Sequence, residues 1–103
     1  MSDVFKAISD PTRRAILMMV AESPTNINKI KAHFQMSRPA ISKHIKILTD
    51  NNLIEVKADE IDGRQRNCYA QLEALQEVNQ YLTQLEIFWN KKLNGLEKFL
   101  DKH

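Results

Sequence analysis

Cysteine, glycine and proline are scarce in this sequence. Its 103 residues include one cysteine, two glycines and three prolines. The single cysteine, Cys68, excludes a disulfide within the chain and any zinc finger built on several cysteines. Because residues that break helices are few and no repeat is present, we expect a largely helical chain. Its length suits one compact domain with a modest core.

Long apolar runs are also absent. No stretch approaches the roughly 18–20 residues that span a bilayer, so we expect no membrane insertion. The first ten residues, MSDVFKAISD, carry acidic residues inside their only apolar patch, which is unlike a secretory signal. Together with the lone cysteine, these features favour a reducing, cytoplasmic setting.

Arrangements typical of an enzyme or a metal site are missing as well. The glycines, Gly63 and Gly95, form no phosphate-cradling loop, and no serine stands in a nucleophile elbow. Cys68 has no histidine nearby in the sequence, and the three histidines show no close ligand spacing. We therefore predict no enzymatic activity, no cofactor and no metal. Cys68 is either a small strand residue or a redox sensor.

The distribution of charge is more informative than the net charge of +2. Between Pro24 and Thr49 there are five lysines or arginines and two histidines, but no acidic residue. All the acidic residues lie before or after this window. A basic centre with mixed-charge flanks suggests a surface for an anionic partner, in particular nucleic acid. An ordinary solvated face would carry the same residues.

The centre of the chain has the spacing of a helix-turn-helix. Thr25 or Asn26 would cap the helix INKIKAHF, and Ser37 would cap the helix RPAISKHIKIL. Two short helices joined by about three residues are typical of this motif. We therefore predict a helix-turn-helix over about residues 26–51.

A β-hairpin is predicted directly after these helices. Apolar and charged residues alternate enough over Leu53–Lys57 to predict a strand. The pair Asp62-Gly63 is typical of a hairpin turn, and Arg64–Gln71 is the predicted returning strand. A hairpin in this position forms the wing of a winged helix, here over about residues 53–71. The predicted fold is thus mainly α with a β-hairpin, a winged helix-turn-helix in a single domain over residues 1–103.

Apolar residues recur every three or four positions from Leu72 onward, which predicts one helix over about residues 72–101. At 1.5 Å per residue it would be about 45 Å long, more than the rest of a small domain can cover. Its uncovered apolar face is a candidate dimer interface, and a broken helix packed within the chain is the alternative. The residues predicted at the interface are Val4, Phe5, Leu85, Phe88, Trp89, Leu96, Phe99 and Leu100.

The helix RPAISKHIKIL has an apolar side and a basic side. At about 100° per residue, Ile41, Ile45 and Leu48 lie within one arc, and most of the basic residues lie opposite. A recognition helix enters the major groove with its N-terminus, which makes Arg38 the predicted guanine reader. His44 lies beside the apolar arc, where it would have either a packing or capping role or a phosphate contact. The predicted DNA-binding residues are Ser37, Arg38, Ser42, Lys43, His44 and Lys46 of this helix, and Arg64 and Arg66 of the wing.

Three blocks of the chain resemble the ArsR/SmtB family of bacterial winged-helix repressors. The blocks are VFKAISDPTRRAIL, MSRPAISKHIKILTDNNLIEV and DGRQRNCYAQL, in the family's order, over about residues 3–72. The tail IFWNKKLNGLEKFL further resembles a non-metal-sensing, autorepressor-like branch. The resemblance implies a homodimer with the first and last helices at its interface, and two recognition helices on a palindromic operator.

The chain departs from the family's pattern in two places. Metal sensors of the family carry cysteines in the helix written here as INKIKAHF, or Asp/His pairs on the last helix, and this chain has neither. Its hairpin is a few residues longer and more acidic than usual, which works against close phosphate contact at the tip. We predict a homodimeric transcriptional repressor that binds double-stranded DNA and whose effector is unknown. The alternatives are a protein-interaction module that does not bind DNA, and a thiol-redox repressor using Cys68.

Overall fold

A computed structural model describes residues 3–101, and in it a small winged domain carries one long helix. The α-helices are α1 Val4–Ala7, α2 Pro11–Glu22, α3 Ile27–Phe34, α4 Arg38–Asp50 and α5 Gln76–Asp101. The strands are β1 Thr25–Asn26, β2 Ile54–Ala58 and β3 Arg66–Ala70, and a 3-10 helix, Leu72–Leu75, lies between β3 and α5. The predicted fold class, a mainly α winged helix-turn-helix with a long last helix, is confirmed.

Short polar side chains fix the start of both helices of the helix-turn-helix. The Asn26 side chain accepts a hydrogen bond from the backbone N–H of Lys29 at 2.7 Å. The Ser37 hydroxyl accepts one from the N–H of Ala40 at 3.3 Å. Each bond satisfies a donor that the first turn of a helix leaves free. Between the two helices the chain reverses at Gln35, whose φ of 53° and ψ of 39° are left-handed.

The sheet has three antiparallel strands in the order β1–β3–β2. The predicted hairpin accounts for two of them, β2 and β3, and β1 is an additional strand. In β1, Thr25 lies opposite Cys68 and Asn26 lies opposite Asn67. From the other side, Val56 of β2 also pairs with Cys68. The sequence predicts only a helix cap at Thr25 or Asn26, because two residues are too few to show an alternating pattern. This extra pairing holds the start of α3 against the wing.

One apolar core joins the first four helices to the sheet. Its buried residues are Ala7, Ile16, Leu17, Val20, Ile30, Ile41, Ile45, Leu48, Leu53, Ile54 and Cys68. Three of them are the side of α4 predicted to be apolar, so that assignment is confirmed. The polar side of α4 consequently faces away from the core.

Helix α5 leaves the domain as one unbroken helix. Its 26 residues extend about 39 Å at 1.5 Å per residue, and the chain measures 69 × 27 × 25 Å. Gly95 lies inside the helix without interrupting it, and the alternative of a broken helix packed within the chain is wrong. The helix starts at Gln76 rather than near 72, because the 3-10 helix first redirects the chain after β3. No helix within residues 3–101 is long and apolar enough to span a membrane.

Candidate nucleic-acid interface

Helix α4 presents its predicted polar residues to solvent. Arg38, Ser42 and Lys43 are exposed, while the opposite face of the helix is buried in the core. The Ser37 cap fixes the first turn and therefore the direction in which the helix N-terminus points. This is the arrangement that a groove-reading helix needs, because its first-turn side chains must reach beyond the domain surface.

A small cleft brings Arg38 together with the two arginines of the wing. The cleft measures about 60 Å³ and is lined by Asn26, Ile27, Asn28, Arg38, Gln65, Arg64 and Arg66. Its lining includes no acidic residue, and the salt bridges within the described residues do not involve these arginines. Guanidinium groups bind phosphate through paired N–H donors, and the start of α3 adds a favourable dipole. The cleft is therefore suited to an anionic oxygen group.

Asp59 shapes the tip of the wing. Its Oδ1 accepts hydrogen bonds from the backbone N–H groups of Ile61 at 2.8 Å and Asp62 at 3.2 Å. Its Oδ2 accepts one from the side-chain amide of Asn67 at 3.1 Å. These bonds, led by that from Ile61, hold the pKa of Asp59 below its ordinary value. At least this acidic residue of the tip has a structural role, because its charged form organises the turn.

Arg64 lies in the wing loop rather than in the returning strand, so that part of the strand prediction is wrong. Strand β3 begins at Arg66, and the N–H of Arg64 donates to Asp62 Oδ1 at 3.1 Å. The loop nevertheless carries Arg64 to the same cleft as Arg38. Turn geometry, which a strand pattern cannot predict, therefore decides the position of this arginine.

His44 lies against Arg13 of α2. Its Nδ1 is 3.4 Å from Arg13 Nη1, in a partly buried contact. The same guanidinium donates from Nε to the Ala7 carbonyl at 2.7 Å and from Nη2 to the Lys6 carbonyl at 3.1 Å. The contact with Arg13 agrees with the predicted packing role of His44. Its role at DNA stays a prediction.

The role of Arg13 was not predicted from the sequence. This residue joins the carbonyl end of α1 to α2 and to the recognition helix candidate α4. Arginines near helix C-termini commonly bond the last carbonyls, which have no partner within the helix. No local pattern could identify this role, because Ala7 and His44 are far apart in sequence and meet only in the fold.

Lys46 is exposed but paired. Its Nζ lies 3.0 Å from Asp50 Oδ2, one helical turn further along α4. An exposed pair of this kind contributes only about 0.3–0.5 kcal/mol, so a phosphate can compete for the lysine. Its contribution to DNA binding stays a prediction.

Cys68 is buried between two strands. Burial raises the pKa of its thiol to about 11, because the thiolate is poorly solvated in the core. The thiolate is the reactive form of cysteine, so this environment disfavours a redox-sensing role. Among residues 3–101, no group of three or more His, Cys, Asp or Glu side chains is placed to hold a metal ion.

The sequence and the fold both have known counterparts. Residues 10–56 match the family described as Bacterial regulatory protein, arsR family. The chain is 30% identical over 97 residues to the HTH-type transcriptional regulator Rv2034 of Mycobacterium tuberculosis, covering 94% of this chain and 85% of that protein. It is 46% identical over 54 residues to the transcriptional repressor SdpR of Bacillus subtilis, covering 52% of this chain and 60% of the repressor.

A solved structure shares the arrangement of helices and wing. It is the crystal structure of the ArsR family transcriptional regulator RHA00566, with a TM-score of 0.72 and 30% sequence identity. The match covers 84% of this chain and 86% of that one.

Proposed function

This chain belongs to the ArsR family of bacterial regulatory proteins, whose members are transcriptional regulators rather than enzymes, and we propose that it represses transcription by binding an operator as a homodimer. The resemblance found in the three sequence blocks is confirmed. The observation that carries the proposal is the cleft in which Arg38, Arg64 and Arg66 meet beside the start of α3. Since a promoter is its target, the proposed location is the cytoplasm.

In this proposal α4 enters the major groove and the wing follows the DNA backbone. Arg38 is the residue that reads a base, because its planar fork matches the O6 and N7 acceptors of guanine. Ser37, Ser42, Lys43 and Lys46 hold phosphates, which sets register and affinity without reading sequence. Arg64 and Arg66 bind the phosphate that approaches the cleft. The exposure of these side chains and the absence of acidic residues from the cleft lining support their contact with DNA.

The proposed dimer is supported by the exposed face of α5. Large apolar side chains on one face of this helix are between 40% and 64% exposed: Leu82, Leu85, Phe88, Trp89, Leu93, Leu96, Phe99 and Leu100. A contiguous apolar surface of this kind is typical of a protein interface. Phe5 extends the surface, since its ring packs edge-on against Tyr81 of α5, with 5.5 Å between the ring centroids. Val4 is partly buried and packs against the core, and its place at the interface stays a prediction.

A two-fold dimer would place two α4 helices on one side of the DNA. The half-sites would then lie one helical turn apart, about 34–36 Å, and the operator would be pseudo-palindromic. Repression follows from occupancy, because a dimer bound over a promoter excludes the polymerase. A monomer in sedimentation equilibrium at micromolar concentration would contradict this part of the proposal.

A gel shift over a salt series tests the function directly. The purified chain is titrated onto DNA from upstream of its own gene, with scrambled DNA of equal length as the competitor. We expect selective binding whose affinity falls steeply with salt, because phosphate contacts release counterions. Lys98→Ala, which removes an exposed charge from the side of α5 opposite its apolar face, serves as the control variant and should bind normally. No preference over scrambled DNA at the lowest salt would contradict the proposal.

A further inference from the structure

Two apolar surfaces of the chain stay uncovered within one subunit. The first is the exposed face of α5, whose last turns carry Leu96, 53% exposed, and Leu100, 61% exposed. The second is a groove of about 300 Å³ where α1, α2 and the 3-10 helix meet. Its lining surface is almost wholly apolar and comes from the side chains Ile8, Leu17, Met18, Ala21, Leu72 and Leu75. Contiguous apolar surfaces of this kind are typical of protein interfaces.

The two surfaces lie at opposite ends of α5 and cannot meet within one chain. Leu75 lines the groove and directly precedes α5, whereas Leu100 lies in the last turn of that helix. The 25 residues between these positions form an unbroken helix from Gln76 onward, which separates the two by about 37 Å at 1.5 Å per residue. The end of α5 can therefore reach the groove of another copy but not its own.

An antiparallel pair of α5 helices would bring the two surfaces together. In such a two-fold pair, the C-terminal end of each helix lies beside the N-terminal end of the other. When the two apolar faces are aligned about Leu85, Leu82 lies opposite Phe88 of the partner subunit. The same alignment carries Leu96 alongside the partner's 3-10 helix, which borders the groove. A parallel pair would leave both grooves uncovered.

Lys92 interrupts the apolar face of α5. At about 100° per residue it lies in the same arc as Leu85 and Leu96, so a dimer built on this face would take its charge out of water. A charge in that position needs an opposite charge beside it. In the antiparallel alignment the exposed Glu77 of the partner subunit lies next to Lys92. Within one chain the two residues are about 22 Å apart along the helix, so they cannot pair there.

We propose, on the basis of the homodimer proposed above, that the last turns of each α5 dock in the groove of the partner subunit. Leu96 and Leu100 fill the groove, and Lys92 pairs with the partner subunit's Glu77. Each groove is then completed by the second copy, and its apolar lining is removed from water. The ion pair fixes the antiparallel register, because a shifted or parallel pair would leave the lysine buried without a partner.

Cysteine cross-linking tests where the end of α5 lies. A chain with Met18→Cys and Leu100→Cys is mildly oxidised and separated on a non-reducing gel. We expect a disulfide-linked dimer, since a disulfide forms only between Cα atoms within about 7 Å and the two positions are too far apart in one chain. Met18→Cys with Lys98→Cys, on the opposite side of α5, is the matched control and should not link. The native Cys68 is buried and should not contribute.

Two results of the cross-linking would overturn the proposal. The first is the absence of a link both from this chain and from one that carries Met18→Cys with Leu96→Cys. The second is a linked dimer from Leu100→Cys alone, because only a parallel pair places the two copies of this residue together.

Charge reversal tests the ion pair. Lys92→Glu places two carboxylates together in the dimer and should raise the dimer dissociation constant about tenfold in sedimentation equilibrium. Adding Glu77→Lys to this variant restores opposite charges, and the dissociation constant should return to within about threefold of its original value. Lys98→Glu makes the same change on the opposite side of α5 and should leave the dissociation constant unchanged. If Glu77→Lys does not rescue Lys92→Glu, the proposed pairing is wrong.

The dimer and this mode of pairing can fail separately. Sedimentation of the unaltered chain decides whether it dimerises, and a monomer would refute both the homodimer and the docking of α5. A dimer that shows neither the cross-link nor the rescue would refute only the docking. Thermal unfolding of each variant establishes that it is folded before dissociation constants are compared.

Discussion

Replacing Arg13 by methionine should destabilise the fold by about 2–3 kcal/mol, because a charged donor is removed from two helix-end carbonyls and from His44. The Ala7 carbonyl accounts for most of this loss. Ala7 is fully buried, and a hydrogen bond from a charged group contributes about 1.5–3 kcal/mol. The Lys6 carbonyl matters less, since it keeps hydrogen bonds from the backbone N–H and the hydroxyl of Ser9.

Urea unfolding measures this effect, with every variant at the same protein concentration because the apparent stability of a dimer depends on that concentration. Arg14→Met is the matched control, since Arg14 follows Arg13 in α2 but bonds one carbonyl, that of Ile8, at an exposed site. Its loss should stay below about 1 kcal/mol. Arg13→Lys should lose nearly as much as Arg13→Met, because an ammonium group does not reproduce the planar fork.

Arg13→Met also distinguishes whether Arg13 positions α4 or contacts DNA itself. If Arg13 acts by holding α4, Arg13→Met should weaken operator binding without changing its dependence on salt, since no phosphate contact is lost. A destabilisation below about 0.5 kcal/mol, within the range of ordinary surface substitutions, would refute the structural role argued for Arg13. A salt dependence lowered by one phosphate contact would instead make Arg13 part of the DNA interface.

Four other substitutions test the remaining roles. Arg38→Ala should cost about 1–3 kcal/mol of operator affinity and relax specificity at one base pair; an equal loss on all operator variants would make it a phosphate contact. Lys43→Ala should weaken binding to all DNA alike and reduce the slope of log K against log salt by about one. Asp59 has a lowered pKa, so its stabilisation of the wing is present above the ordinary carboxyl pKa and is lost as pH falls through the lowered value. Asp59→Asn should remove this acid dependence from the wing amide NMR signals, and an unchanged titration would contradict it. Trp89→Ala should raise the dimer dissociation constant in sedimentation equilibrium, whereas Lys98→Ala, on the opposite side of α5, should not.

The sequence alone determined the elements whose causes are local. Asn26 and Ser37 accept hydrogen bonds from residues three positions ahead, so a cap can be predicted from its neighbours. The apolar spacing of Ile41, Ile45 and Leu48 fixed which side of α4 enters the core, because helical geometry repeats every 3.6 residues. The same periodicity predicted a long last helix with an uncovered apolar face.

Only the tertiary structure decided which distant residues meet. Thr25 pairs with Cys68, Arg13 reaches His44, and Arg38 shares a cleft with Arg64. These contacts join segments that are separate in sequence, and they form because burial of one common core orients the first four helices and the sheet together. Helical periodicity predicted that Arg38 lies on an exposed face. The position of Arg64 beside it depends on the wing loop and on the strand β1. Local hydrogen bonding and periodicity act within a few residues, whereas a binding surface depends on how the packed elements are arranged around the core.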